Sequence, residues 1–180
     1  PAMTRFVALL GSINVGGNRL KMDALRAAFE RTDFANVATV GASGNVLFDH
    51  VEAADAQLER EVAGILADKF GIATFAAVRS HGELSDALAE SPFAGKSEDR
   101  FVHIGFLDGA LEMAKFERLV ADHAGRGREK LAPGTDALHI DYVDGAGDSK
   151  LTKQFIERRI ERQVTVRNLS SIRRIIEKMG

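Results

Sequence analysis

The chain has 180 residues, 24 Lys and Arg against 26 Asp and Glu, and no cysteine. That length suits one domain of ordinary size or two small ones. The absence of cysteine excludes disulfides, thiolate nucleophiles and cysteine-ligated metals, and a net charge of −2 gives no general attraction to nucleic acid or membrane. No apolar run approaches the roughly 20 residues needed to span a bilayer. The N-terminus lacks a charged stretch followed by an apolar one, so the expected compartment is the cytoplasm. Pro1 and Ala2, ahead of Met3, read as an addition and are left aside.

A strand is expected over 5–11, where Phe6-Val7-Ala8-Leu9-Leu10 is wholly apolar. The glycine-rich segment Gly11–Met22 follows. Met22, Leu25, Ala28 and Phe29 then recur at helical spacing over 21–32. Val37–Val40, the turn Gly41-Ala42-Ser43-Gly44 and Val46-Leu47-Phe48 read as a hairpin. A long helix carries Leu58, Val62, Ile65, Leu66 and Phe70, with Gly71 placed as its C-terminal cap. A fourth strand covers 72–79. The order is strand-helix-strand-strand-helix-strand, the split βαβ or ferredoxin-like arrangement. A short helix over 82–90, then Ser91-Pro92, leads to a polar linker at 93–100.

The second half repeats the opening. A strand over 101–107, a helix over 110–123 and a glycine-broken stretch at Gly125 and Gly127 precede a strand over 136–143. The loop Asp144-Gly145-Ala146-Gly147 leads to a helix over 149–162, capped by Asp148 or Ser149. Val164-Thr165-Val166 and a helix bearing Leu169, Ile172, Ile175, Ile176 and Met179 end the chain. The expected class is α+β: two tandem ferredoxin-like subdomains, 3–92 and 101–180, with a C-terminal helix. Because Phe6–Leu10 is apolar on both faces, the open face of the first sheet requires a cover. The other subdomain or a second copy of the chain would supply it.

Several ordered segments carry a resemblance: I-N-V-G-G (Ile13–Gly17), K-M-x-x-L-R (Lys21–Arg26), F-x-N-V-x-T (Phe34–Thr39), S-G-N-V-x-F (Ser43–Phe48), S-K-L-T (Ser149–Thr152) and T-x-R-N (Thr165–Asn168). Together they resemble the LRGINVGG-type domain-of-unknown-function family. The resemblance implies a cytoplasmic protein of two joined ferredoxin-like units, with no settled activity, substrate or cofactor. Two departures stand out: Gly11-Ser12 replaces the family's Arg-Gly, and Leu169 replaces its tryptophan.

The candidate sites follow from residue type. The backbone amides of Gly16 and Gly17, the Asn14 amide and the cations Arg19 and Lys21 could cradle a phosphate or carboxylate at a helix start. Gly17 stands where a Walker A motif needs lysine, so that motif is absent. Equally, such glycines serve a tight strand-to-helix turn. Ser43, Gly44 and Asn45 lie in the hairpin turn, with Asn45 within reach of that loop. Ser149 and Lys150 open a helix, where a cation opposes the dipole unless an anion is near. Arg167 and Asn168 of the T-x-R-N segment complete the expected ligand-binding set. His103, His139 and Asp141 are expected to share one open sheet face, close enough for metal or acid–base work. The basic C-terminal helices, with Arg173 and Arg174, offer a nucleic-acid surface or simply solvated faces. No nucleophile-base-orienter set can be assembled from spacing, so no reaction, cofactor or metal is assigned. The leading expectation is an anionic small-molecule ligand; the alternatives are an interaction module using the open sheet and a nucleic-acid binder.

Overall fold

A computed structural model describes residues 2–11 and 20–180. The chain divides into two compact units, Pro1–Leu84 with Arg174–Gly180, and Ser85–Arg173. Each is built on a four-stranded antiparallel sheet, and among the described residues six helices accompany the two sheets. The protein is therefore α+β. No described helix is long and apolar enough to cross a membrane.

The first unit runs β1 (Met3–Leu10), α1 (Met22–Glu30), β2 (Ala35–Thr39), β3 (Asn45–Val51), α2 (Asp55–Phe70) and β4 (Ala76–Ser80). Its strands lie in the order β2-β3-β1-β4. Direct pairing sets the faces: Phe6 opposes Phe48 and Ala8 opposes Val46, while Val7 opposes Leu47. Phe6, Ala8, Leu10, Val46, Phe48, Ala76 and Val78 pack with Leu25 and Phe29 of α1 and with Leu58, Val62 and Leu66 of α2. Four phenylalanines knit this core, with ring centroids 4.4 Å apart for Phe34–Phe48, 5.4 Å for Phe29–Phe34 and 5.7 Å for Phe6–Phe48. Gly71 ends α2 at φ 65°, its N–H reaching Ala67 and Leu66 while Ile72 N–H bonds Leu66 O at 3.2 Å. That pairing is the left-handed closure expected of glycine.

The other face of this sheet is not open. Val7, Leu9, Leu47 and Ala77 are each at most 1% exposed within the single chain.

The second unit runs β5 (Val102–Leu107), α4 (Met113–His123), β6 (Lys130–Gly134), β7 (Ala137–Asp141), α5 (Lys153–Ile160) and β8 (Val164–Asn168), in sheet order β6-β7-β5-β8. Leu107, Leu138, Ile140, Tyr142, Phe116, Leu119, Phe155 and Ile156 form its helix-side core. β6 is the weak strand of the sequence, carrying Pro133 and Gly134. It survives because it is an edge strand, where a missing N–H costs no ladder bond on the solvent side. Two further helices, α3 (His81–Glu90) and α6 (Leu169–Met179), contain the points where the units divide. The polar segment 93–100 is tied into the second unit: Ser97 Oγ donates to Asp141 Oδ2 at 2.6 Å, and Arg173 Nε donates to Asp99 at 2.9 Å.

Phe48 touches three other rings and is fully buried. Phe48→Ala is expected to lower unfolding free energy by about 3–5 kcal/mol, read from urea melts with an unchanged m-value. A loss under about 1 kcal/mol would show that the ring cluster is not the first unit's core.

Candidate functional site

The glycine-loop residues Asn14, Gly16, Gly17 and Arg19 lie outside the described residues. Lys21 is described: it is exposed, occupies the N-cap position of α1 and makes no side-chain cap. Ser43, Gly44 and Asn45 come together as the β2–β3 turn. Gly44 has φ 85°, and its carbonyl accepts from Leu10 N–H at 2.8 Å. Asn45, 2% exposed, gives its amide to Val40 O at 3.0 Å and Ser43 Oγ at 3.1 Å. Those two bonds help close the turn.

The second unit gathers cations. Arg126, Lys150, Arg158 and Arg159, with Thr152, Gln154 and Phe155, line a groove of about 410 Å³ at the start of α5. No carboxylate lines it. The expected cap at Asp148 or Ser149 is corrected, for Thr152 caps α5 with Oγ1 accepting from Phe155 N–H at 3.2 Å. Lys150 therefore precedes the helix rather than sitting in its first turn. Arg126 and Arg159 stack their guanidinium carbons over the Phe155 ring, 4.2 and 3.6 Å from its centroid. Arg126 also donates to Lys150 O at 3.4 Å and Arg159 to Phe155 O at 3.3 Å, which holds both heads in place.

Ser149 takes a different part from the one expected. Its hydroxyl donates to Glu129 Oε2 at 2.7 Å and accepts from Leu151 N–H at 3.0 Å. Behind Glu129 lies His123, with Nε2 3.0 Å from Glu129 Oε1 but off the hydrogen-bond axis, so neither buried ring nitrogen is hydrogen-bonded. Burial pushes the Glu129 carboxyl up, but Ser149, the residue's own backbone and His123 together bring it below its ordinary value. The carboxylate lies between hydroxyl and imidazole, so no imidazole adjoins Ser149 and the order is wrong for a Ser-His-Asp triad.

Arg167 and Asn168 make local bonds in this fold. Arg167 Nη1 donates to Thr165 Oγ1 at 2.9 Å and Val166 O at 3.0 Å, and burial lowers its guanidinium to about 10, leaving it cationic at neutral pH. Asn168 Oδ1 accepts from Ser171 N–H at 2.8 Å and caps α6. The same arrangement closes the first unit, a repeat the sequence reading missed. Arg79 Nη1 donates to Val78 O at 2.8 Å, and Ser80 Oγ accepts from Glu83 N–H at 3.2 Å. The matching V-R-S and V-R-N tripeptides were the available signal.

The expected His103–His139–Asp141 cluster does not form. Ile104 pairs with His139 and His103 with Ile140, so the histidines point to opposite faces. His103 packs edge-on against Tyr142 at 4.7 Å on the helix side. His139 is fully buried on the other face and reaches Glu90 Oε1 at 3.0 Å, while Thr135 holds the same carboxylate through N–H at 3.0 Å and Oγ1 at 2.8 Å. Asp141 is spent on Ser97 and on Val143 N–H at 2.9 Å. The mistake lay in β5: its helix side carries His103, Gly105 and Leu107, not the more apolar Val102, Ile104 and Phe106. A Cβ on Gly105 would stand 2.7 Å from Val164 Cγ2, so glycine admits that close approach.

The first unit holds a carboxyl cluster unforeseen from sequence. Thr4, Phe6, Glu52, Asp55, Ser80 and Glu83 line a pocket of about 390 Å³. Glu59 Oε2 accepts from Arg79 Nη1 at 2.8 Å and from Val78 N–H at 3.0 Å, and Asp55 lies 4.0 Å from the same guanidinium. Asp55 and Glu83 hydrogen-bond to each other, which requires one to keep its proton. Burial first, then Glu83's bond and charge, push the Asp55 carboxyl up to about 8 against the pull of Arg79. Burial also raises Glu83, but the bonds from Asp55 and Ser80 outweigh it and leave Glu83 below its ordinary value.

The model of a family described as "Protein of unknown function (DUF1697)" matches residues 3–139. Among solved structures, a conserved bacterial protein from Streptococcus pneumoniae matches with a TM-score of 0.71 and 19% sequence identity over 99% of each chain. At that identity the likeness is one of fold. No curated protein matches.

Asp55 keeps a proton in the fold up to about pH 8 that the unfolded chain releases near its ordinary value of 3.8. Across that window the native state binds the extra proton, so this group's contribution falls as pH rises and is exhausted above it. Glu83 acts oppositely, losing its contribution only on acidification through its lowered value. Asp55→Asn keeps an N–H donor for Glu83 without titrating, while Glu52, Glu59 and Arg79 stay unchanged. Urea melts from pH 5 to 8 are expected to show a flatter decline for the variant, the difference being at most about 1.4 kcal/mol per pH unit. Parallel declines would remove the shared proton.

Proposed function

The chain belongs to this family of unknown function, and we propose that it binds an anionic small molecule in the groove formed by Arg126, Lys150, Arg158 and Arg159. The observation that carries the reading is four cations around one concavity with no carboxylate in its lining. Guanidinium groups already oriented by an aromatic ring lose little freedom on meeting an anion and present paired donors to its oxygens. Thr152 and Gln154 add neutral polar groups to the same lining. On this reading, Lys150 is the residue of the expected ligand set that meets the ligand directly. Asn14, Gly16, Gly17 and Lys21 stand as a second, separate anion contact in the first unit, argued from residue type alone.

The strand orders support reading both units as ferredoxin-like, each β-α-β-β-α-β with the first strand between the third and the fourth. The I-N-V-G-G and S-K-L-T segments support placing the chain in the LRGINVGG-type of its family.

Titration calorimetry with inorganic phosphate at fixed ionic strength tests the groove. Lys150→Ala and Arg158→Ala are each expected to weaken binding about tenfold, the order of one charge-assisted hydrogen bond. Arg26→Ala, an exposed cation paired with Glu30 in the first unit, is expected to leave it unchanged. Equal effects from all three would reduce the groove to general charge attraction.

A further inference from the structure

Resting on that reading, we infer that the ligand bears a diphosphate group rather than a carboxylate or a single phosphate. The first argument is charge. Of the groove's four cations, Arg159 is answered by Asp122, whose Oδ2 lies 3.2 Å from its Nε. Arg126, Lys150 and Arg158 have no carboxylate partner among the described residues, which leaves three uncompensated positive charges. A phosphate monoester carries about −1.5 to −2 at neutral pH. A second phosphoryl group brings the ligand near −3, and a simple carboxylate falls well short.

The second argument is placement. Arg126 and Arg159 are held against Phe155 by stacking and by backbone carbonyls. Arg158 precedes Arg159 in α5, and adjacent helical residues project about 100° apart. Arg126 comes from the stretch after α4, Lys150 from the segment before α5, and Arg158 and Arg159 from α5 itself, so the lining cations enter the groove from three parts of the chain, which suits two linked phosphoryl groups. A concavity of about 410 Å³ accommodates both.

The third argument concerns the remainder of the ligand. Phe155 is 9% exposed and covered by two guanidiniums, so it offers no ring face for a base to stack on. Affinity then resides in the phosphoryl groups, and inorganic pyrophosphate is a faithful probe.

Titration calorimetry of the full chain with inorganic pyrophosphate and inorganic phosphate, at one ionic strength, decides the matter. Pyrophosphate is expected to bind at least about tenfold more tightly. Lys150→Ala and Arg158→Ala are expected to cut that preference at least about threefold, whereas Arg158→Lys retains most of it. Both side chains are exposed, and unchanged melting temperatures confirm that the variants fold. Equal affinity for the two probes overturns the diphosphate inference and leaves anion binding standing. No heat with either probe removes both. Single-stranded RNA that displaces pyrophosphate with higher affinity also overturns the inference, assigning the groove to a nucleic-acid backbone.

Discussion

The central strands of both sheets are buried on both faces, and most of what distinguishes this protein follows from that. Phe6 to Leu10 of β1 are all at most 2% exposed, as are Val102, Ile104 and Phe106 on one face of β5. A polar side chain on such a strand has no water to turn to, and leaving it unpaired would cost roughly 1–3 kcal/mol. Asp141 is accordingly met by Ser97 and a backbone N–H, and His139 Nε2 by Glu90, while His139 Nδ1 has no hydrogen-bond partner among the described residues. The His139–Glu90 contact also dictates a glycine, because a Cβ at Gly134 would lie 2.5 Å from Glu90 Oε1 and 2.7 Å from His139 Nε2.

The two units solve the passage out of the sheet in the same way. In each, a final strand delivers an arginine that folds back on the preceding carbonyl, and the next residue, Ser80 or Asn168, caps the helix that follows. Around this shared device the chemistry diverges. In the first unit, carboxylates crowd near Arg79 until two of them share a proton. In the second, Arg167 donates to Thr165 and to the preceding carbonyl, and the carboxylates Glu90, Glu129 and Asp141 are paired individually.

The cationic groove lies apart from these buried networks, where α5 begins beside the stretch after α4. Its arginines use Phe155 as a support, and that side chain belongs to the second unit's core. A slightly acidic chain can hold a strongly positive concavity because charge is distributed locally: nearby carboxylates such as Glu129 and Glu157 are turned to Ser149 and Lys153. Overall charge, the first quantity read from the sequence, is therefore silent about this site.

Periodicity and punctuation sufficed for the elements with strong local signals. The Leu58-Val62-Leu66 stripe, Gly71 as the cap of α2, the β2–β3 hairpin and the doubly apolar β1 could all be read from the chain, because spacing and backbone freedom are local properties. β6 was weak in the sequence, since an edge strand needs little apolar character. The pairing register of His103 and His139, the shared proton of Asp55 and Glu83, and the meeting of Arg126 with Arg159 across Phe155 were not legible. Each depends on which residues 24 or more positions apart are brought into contact, and a one-residue shift in strand register reverses every face assignment. Composition and local pattern determined an α+β chain with six helix-forming and seven strand-forming segments, β6 being added by the structure; tertiary packing alone decided where its charges converge, because convergence is a property of distance in space and not of separation along the chain.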